Sequence, residues 1–139
     1  MAPSLLVTAF VILLSVISAG AQAAAGFKAT EVFKGSTTIK GQALQYPATN
    51  QPEVTALLVD LEPGGESERH QHPSAPYIYV IEGTFTVEFD DGTQQSFQAG
   101  QGFLEAVNTW HKARNLGATA LKFMVVFTGE QGKSNFIKP

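Results

Sequence analysis

ERHQHPSAPYIYVIEG, residues 68–83, sets two histidines one residue apart, ahead of a run of aromatic and β-branched residues. On an extended strand, positions i and i+2 point to one face, about 6.5–7 Å apart along the chain. Two imidazoles at that spacing can converge on one ion at about 2.0–2.1 Å each. Where a third, carboxylate ligand would be sought, the chain has Pro76. The stretch therefore poses two questions: whether it holds a metal, and what replaces the acid.

Outward from this stretch the chain is a succession of strands and turns. TALLVDL (Thr55 to Leu61) is an apolar strand ended by EPGG. YIYVIE (Tyr77 to Glu82) is rich in residues that favour strands. Gly83 turns it into TFTVEF, where Phe85, Val87 and Phe89 alternate with Thr84, Thr86 and Glu88. DDG (Asp90 to Gly92) is a hairpin signal, and TQQSF runs to the turn AGQG. GFLEA and HKARN are short strands, and LGA (Leu116 to Ala118) turns into TALKFMVVFTG. No stretch shows a 3.6-residue period with caps. Short strands closed by regularly spaced turns predict an all-β antiparallel sandwich or barrel. Phe89, Phe97, Phe103, Phe123 and Phe127 read as its core. Before Thr55, STTIKGQALQYP predicts an edge strand followed by a proline-bearing loop.

The bulk numbers agree with one such domain. The chain has 139 residues, 44% of them hydrophobic, enough to build a core. A net charge of −3 argues against nucleic acid and gives no basic anchor for an anionic membrane. The absence of cysteine excludes disulfides and thiolate chemistry. Leu5 to Ile17 is an apolar run of signal-peptide length, and Ala21-Gln22-Ala23 supplies the small residues that precede a cut. No Lys or Arg precedes the run; the first charged residue is Lys28. The alternative is an uncleaved anchor. The expected organisation is a signal peptide over 1–23, an N-terminal segment with edge strands over 24–54, and a barrel over 55–139 that forms one domain with it. The expected location is outside the cytoplasm, periplasmic or secreted.

The chain has three histidines, His70, His72 and His111, and all three fall on one two-part pattern. Gly64, His70, His72 and Gly83 match G-x5-H-x-H-x3,4-E-x6-G except at the acid. Gly100, His111 and Asn115 match G-x5-P-x-G-x2-H-x3-N at its ends. On these residues the sequence resembles a small single-domain cupin over about Val54 to Phe127. The resemblance implies a double-stranded β-helix, or jelly-roll, barrel. It also implies that His70, His72 and His111 bind one divalent metal ion inside it, and that the protein is a homodimer.

The departures from that pattern carry the remaining expectations. The first-motif acid falls on Pro76, and the second-motif Pro and Gly fall on Ala106 and Asn108. Asparagine is the usual replacement for glycine in a turn that needs positive φ. Glu105 stands where an aliphatic residue is usual, and by alternation it shares a face with Phe103. A carboxylate facing into a barrel is costly unless paired or metal-bound. Glu105 is therefore read as a fourth ligand, or as an acceptor for a ligand histidine, against the alternative of a solvated rim position. It is expected to reach His111 as a cross-strand neighbour. Tyr77 and Tyr79 alternate with Ile78 and Val80, so one pair faces inward. Tyr77 is either a packing residue or, with Glu105, a candidate acid or base. Trp110 is expected to cover apolar surface or meet a second subunit, and Glu66, Glu68 and Arg114 to be solvated.

Three imidazoles with a carboxylate suit Fe, Mn, Ni, Cu or Zn. The functional expectation is a metalloenzyme acting on a small molecule, by dioxygenase-, lyase- or isomerase-like chemistry. A non-catalytic module that binds a small molecule or a metal is the competing one.

Overall fold

The computed structural model describes residues 25–139, of which Glu31–Pro139 form one compact unit. The apolar run at Leu5 to Ile17 and the expected cut after Ala23 lie outside the described residues. No helix among the described residues is long and apolar enough to cross a membrane.

Seven strands carry the unit: β1 (Pro52–Leu61), β2 (Tyr77–Glu82), β3 (Thr84–Phe89), β4 (Gln94–Gln98), β5 (Gly102–Leu104), β6 (His111–Arg114) and β7 (Leu121–Glu130). They form two sheets in the orders β1-β7-β2-β5 and β4-β3-β6, with every pairing antiparallel. The inner faces bury Ile78, Val80, Phe85, Val87, Phe123 and Phe127 in one core. Period-2 alternation explains this choice: in β7, Leu121, Phe123, Val125 and Phe127 are buried, and the residues between them are only half-buried. Phe89 and Phe103 are buried as expected, and Phe97 stacks on Phe103 at 3.7 Å between ring centroids.

β1 shows what an apolar run does on an edge strand. Its register sets Leu57, Val59 and Leu61 opposite Val125, Phe123 and Leu121, so these face inward. Val54 and Leu58 take the outer face and are 69% and 68% exposed. The expected N-terminal edge strand is reduced to a single bridge, Thr37 to Ala43, closed around Gly41. This segment instead holds the barrel's turn. Gln42 accepts from the Val107 amide at 2.9 Å and donates to the Val107 carbonyl at 2.8 Å, and Ile39 N–H donates to Leu104 O at 2.9 Å.

Two turn positions are dictated locally. Asn108 has φ 46°, the one positive value at a non-glycine among the described residues, at the place expected for it. Asn115, fully buried, donates to the Leu61 and Thr119 carbonyls at 2.9 and 2.8 Å and accepts from Gly117 N–H at 3.0 Å. It ties the β6–β7 turn to the end of β1.

Candidate metal centre

Backbone pairing brings the histidines together. His70 and His111 exchange both main-chain hydrogen bonds, at 3.0 and 2.9 Å, so they sit directly opposite each other. His70 and His72 lie in an extended segment held by single bridges, outside the seven strands: Gln71 between them exchanges two backbone bonds with Ile137. The three rings have centroids 4.5–5.1 Å apart, and one nitrogen of each lies within 4.8 Å of the others. All three residues are buried. This three-histidine group could hold a metal ion.

Each ring is oriented by its far nitrogen. Nδ1 of His70 faces the Glu68 carbonyl at 2.7 Å, Nδ1 of His72 the Asn135 carbonyl at 2.9 Å, and Nδ1 of His111 the Thr109 carbonyl at 2.8 Å. A carbonyl only accepts, so each Nδ1 carries a proton and donates it. In the neutral rings every Nε2 is then a lone pair, free for an ion. Such outer partners set tautomer and direction in metal sites.

Glu105 joins them. It is 3% exposed, with Oε2 3.2 Å from His72 Nε2 and Oε1 3.2 Å from His111 Nε2. The second contact lacks hydrogen-bond geometry, and Glu105 Oε1 and His111 Nε2 are left buried without a hydrogen-bond partner. Burial by itself would raise the Glu105 carboxyl, but the imidazoles of His111 and His72 outweigh it and hold the group down to about 2. Burial lowers His70, with the neighbouring His111 and His72 adding to the effect. Burial would lower His111 too, yet the facing Glu105 raises it. An ionised carboxylate facing two nitrogen lone pairs requires positive charge between them, supplied by a proton or by an ion. The 3.2 Å spacing is that of two ligand atoms each about 2.0–2.2 Å from a common centre. Orphaned buried acceptors, fixed lone pairs and this spacing all fit a divalent ion.

The sequence-based expectation for Glu105 needs one correction. Glu105 and His111 are not cross-strand neighbours, because β5 pairs with β2 and β6 with β3 in the other sheet. They meet across the interior of the barrel. The cross-strand partner of Glu105 is Pro76: the ladder pairs Tyr77 with Leu104, and beyond it Glu105 N–H donates to the Pro76 carbonyl at 3.0 Å. Pro76 is fully buried at the site where the first motif would carry its acid. Antiparallel partners place their Cβ atoms about 4.5–5.5 Å apart. The carboxylate has in effect crossed the ladder by one strand.

Tyr77 is not brought to the site. Ile78 and Val80 take the inward positions of β2, and Tyr77 packs on the outer face against Phe33, 5.5 Å between centroids, beside Gly102. Trp110 is covered by Arg69, 4.2 Å from its ring, and Arg69 in turn pairs with Asp90. Glu66 pairs with Lys112 and Arg114, Arg114 also with Glu88, and Glu68 with Lys138, all at the surface.

Sequence reasoning missed the C-terminal strap. After β7 the chain returns past the H-x-H segment. Asn135 gives its carbonyl to His72, and the Phe136 ring packs 5.4 Å from His70, 5.3 Å from His72 and 5.0 Å from Phe127. Gly129 lies beside this return, where a Cβ would meet Oδ1 at the tip of the Asn135 side chain. SNF carries no periodicity or motif, and its partner is 63 residues away, so nothing local announced it. Between the sheets, next to the histidines, lies a cavity of about 180 Å³. Three larger depressions are open to the surface: two, about 430 and 350 Å³, lie among loops away from the histidine nitrogens, and one, about 270 Å³, is lined by Ser67, Glu68, His70, Phe136 and Lys138.

The fold and the site together define a small antiparallel β-barrel with a buried histidine and carboxylate cluster. Residues 57–127 match the family model of the cupin domain, and the chain belongs to the cupin family. It is 33% identical over 101 residues to the rice (Oryza sativa subsp. japonica) germin-like protein 3-7, covering 69% of this chain and 43% of the relative. It is 34% identical over 61 residues to polyketide synthase CurC of Streptomyces cyaneus, covering 43% of this chain and 39% of that one. The chain thus spans less than half the length of these curated relatives. Among solved structures it resembles oxalate decarboxylase of Bacillus subtilis, a protein with Mn(II) centres, at 28% identity and TM-score 0.50 over 61% of this chain and 23% of that one. A double-stranded β-helix protein of Klebsiella pneumoniae subsp. pneumoniae matches at TM-score 0.52 and 22% identity, over 66% of this chain and 82% of that one, a likeness of fold.

Proposed function

We propose that the chain is an exported metalloenzyme that acts on a small molecule at one divalent ion, held by His70, His72, His111 and Glu105. The observation that carries this is the pair of buried, partnerless atoms, Glu105 Oε1 and His111 Nε2, beside imidazoles whose Nδ1 protons are all engaged by carbonyls. The donor set of nitrogen and carboxylate oxygen suits Fe, Mn, Ni, Cu or Zn. A divalent ion bound there supplies Lewis acidity, or electrons to O₂ where the metal is redox-active. The chain's own residues do the rest. The carbonyls of Glu68, Asn135 and Thr109 aim the three imidazoles. Glu105 brings the negative charge that Pro76 does not.

Glu105 is the one carboxylate on the cavity, and Tyr77 faces away from it. With Glu105 held between imidazoles, no second carboxylate or tyrosine among the described residues lines the cavity for the proton transfers of a lyase or isomerase. This favours dioxygenase-type chemistry. It also supports a second reading, a non-catalytic module that captures a small molecule. Export rests on the apolar run and small residues of 5–23. A homodimer is supported by the exposed apolar outer face of β1, where Val54 and Leu58 lie. The test is metal analysis of purified protein reloaded with each ion in turn, together with O₂ uptake in the presence of simple phenols and diketones. About one ion per chain and metal-dependent uptake are expected. Less than half an ion per chain after reloading refutes the metal centre, and a loaded protein without uptake leaves lyase- or isomerase-type chemistry or the binding module.

A further inference from the structure

The cavity beside the histidines has an uneven chemistry. Its walls are hydrocarbon: Leu57 and Val59 from β1, Ile78 from β2, Phe85 from β3, Val125 and Phe127 from β7. Its polar lining is confined to His70, His72, Glu105 and Ser67. The Ser67 hydroxyl is already committed, donating to the Glu68 carbonyl and accepting from Ala113 N–H, both at 2.9 Å. Leu57 and Phe136, 39% and 38% exposed, mark where the cavity opens. No Lys or Arg lines it. Arg69, Lys112 and Arg114, beside the histidines in sequence, and Lys138, which lines the adjoining depression with His70 and Phe136, are each paired with a surface carboxylate.

We infer that this pocket takes a neutral, apolar molecule about the size of phenol, one oxygen toward the ion and its ring among the hydrocarbon walls, and rejects small dicarboxylates. The inference rests on the reading of the histidines and Glu105 as ligands, and names the substrate class of that site. Size agrees: an apolar core cavity of about 150 Å³ in another protein takes benzene, and this one is about 180 Å³. Charge agrees as well. A dianion beside Glu105 leaves net negative charge at a divalent ion, within hydrocarbon and with no cation to meet it. Burying charge without a partner is heavily penalised. A neutral phenol leaves the ion and Glu105 as they are, and gains the apolar contact.

The experiment uses the chain loaded with Zn(II), an ion without redox chemistry, with phenol and malonate as probes. Metal per chain is counted on the same sample. Saturation-transfer NMR on the phenol ring protons reports occupancy. Expected are transfer to phenol, no displacement by equimolar malonate, and loss of affinity in Leu57→Phe. That loss should be on the order of 10- to 200-fold, the range by which an apolar pocket responds to a small change in fit. Leu57→Ala, which widens the mouth, should bind phenol and also admit 4-tert-butylphenol. The inference is overturned if the chain carries about one Zn(II) yet shows no transfer, if malonate displaces phenol, or if both Leu57 variants bind phenol as the parent does. A chain that takes up no Zn(II) instead overturns the metal-centre reading, and the inference with it.

Discussion

Ending the chain after Ser134 removes the strap while leaving all four proposed ligands in place. Three losses follow from the geometry. His72 Nδ1 loses the Asn135 carbonyl that orients it at 2.9 Å. Gln71 loses both backbone bonds to Ile137. His70, His72 and Phe127 lose the Phe136 ring. Loss of an outer partner to a ligand histidine typically weakens metal affinity by about 10–100-fold. Full removal of a buried Phe side chain costs about 3–5 kcal/mol. Phe136 is 38% exposed, so a share of about 2–3 kcal/mol is expected here. The two backbone bonds add about 1 kcal/mol each. A domain of this size commonly has about 5–15 kcal/mol in hand, so the truncated chain should remain folded but melt earlier. Far-UV circular dichroism checks the fold, and competition with a chelator of known affinity gives the metal constant. A truncated chain that is folded and binds metal as tightly as the parent refutes the role given to the strap.

Gly129→Ala sets a methyl against Oδ1 of Asn135, the tip of a side chain that can turn aside while its carbonyl stays on His72, so metal affinity should fall much less than in the truncated chain, again by chelator competition. Asn115→Ala removes three side-chain hydrogen bonds, to the Leu61 and Thr119 carbonyls and from the Gly117 amide. At about 0.5–1.5 kcal/mol net for each, a clear fall in chemical-denaturation midpoint is expected with little change in metal affinity. Acid should release the metal. Ligand imidazoles must be neutral, and their ordinary pKa is about 6.5, so the stability that metal adds is present above that value and fades as pH falls below it. The melting shift on metal addition should be full at about pH 7.5 and nearly gone at about pH 5. In the metal-free chain, Glu105 is held down to about 2, so its own contribution is present above the ordinary carboxylate range and is lost as pH falls toward 2.

The barrel was legible because its rules are local. Alternation placed Phe85, Val87 and Phe89 in the core, and Asn108 announced the one turn among the described residues where a non-glycine residue takes positive φ. The histidines were legible because their spacing meets a motif. The inward face of Glu105 followed from alternation with Phe103, both of them buried. Its partner did not, because sheet membership is a non-local fact: β5 was free to pair with β6 or β2, and only the folded register selects β2. Tyr77 was left open since alternation gives two faces without saying which is inner. Val54 and Leu58 look like core in a sequence and lie outside because β1 is an edge strand. The strap at 135–137 was invisible, since its contacts form by chain return and not by any pattern in SNF.

In the proposed centre, the acid absent at Pro76 is supplied from across the ladder by Glu105. Equilibrium titration of one divalent ion into four proteins tests it: the parent, Glu105→Gln, Pro76→Glu and the double variant. Glu105→Gln should weaken binding by about 10–100-fold or more, Pro76→Glu should hold or tighten it, and the double variant should recover what the first one lost, a coupling the cycle measures directly. If Glu105→Gln binds the ion as tightly as the parent, the carboxylate has no part in the centre and the claim is wrong.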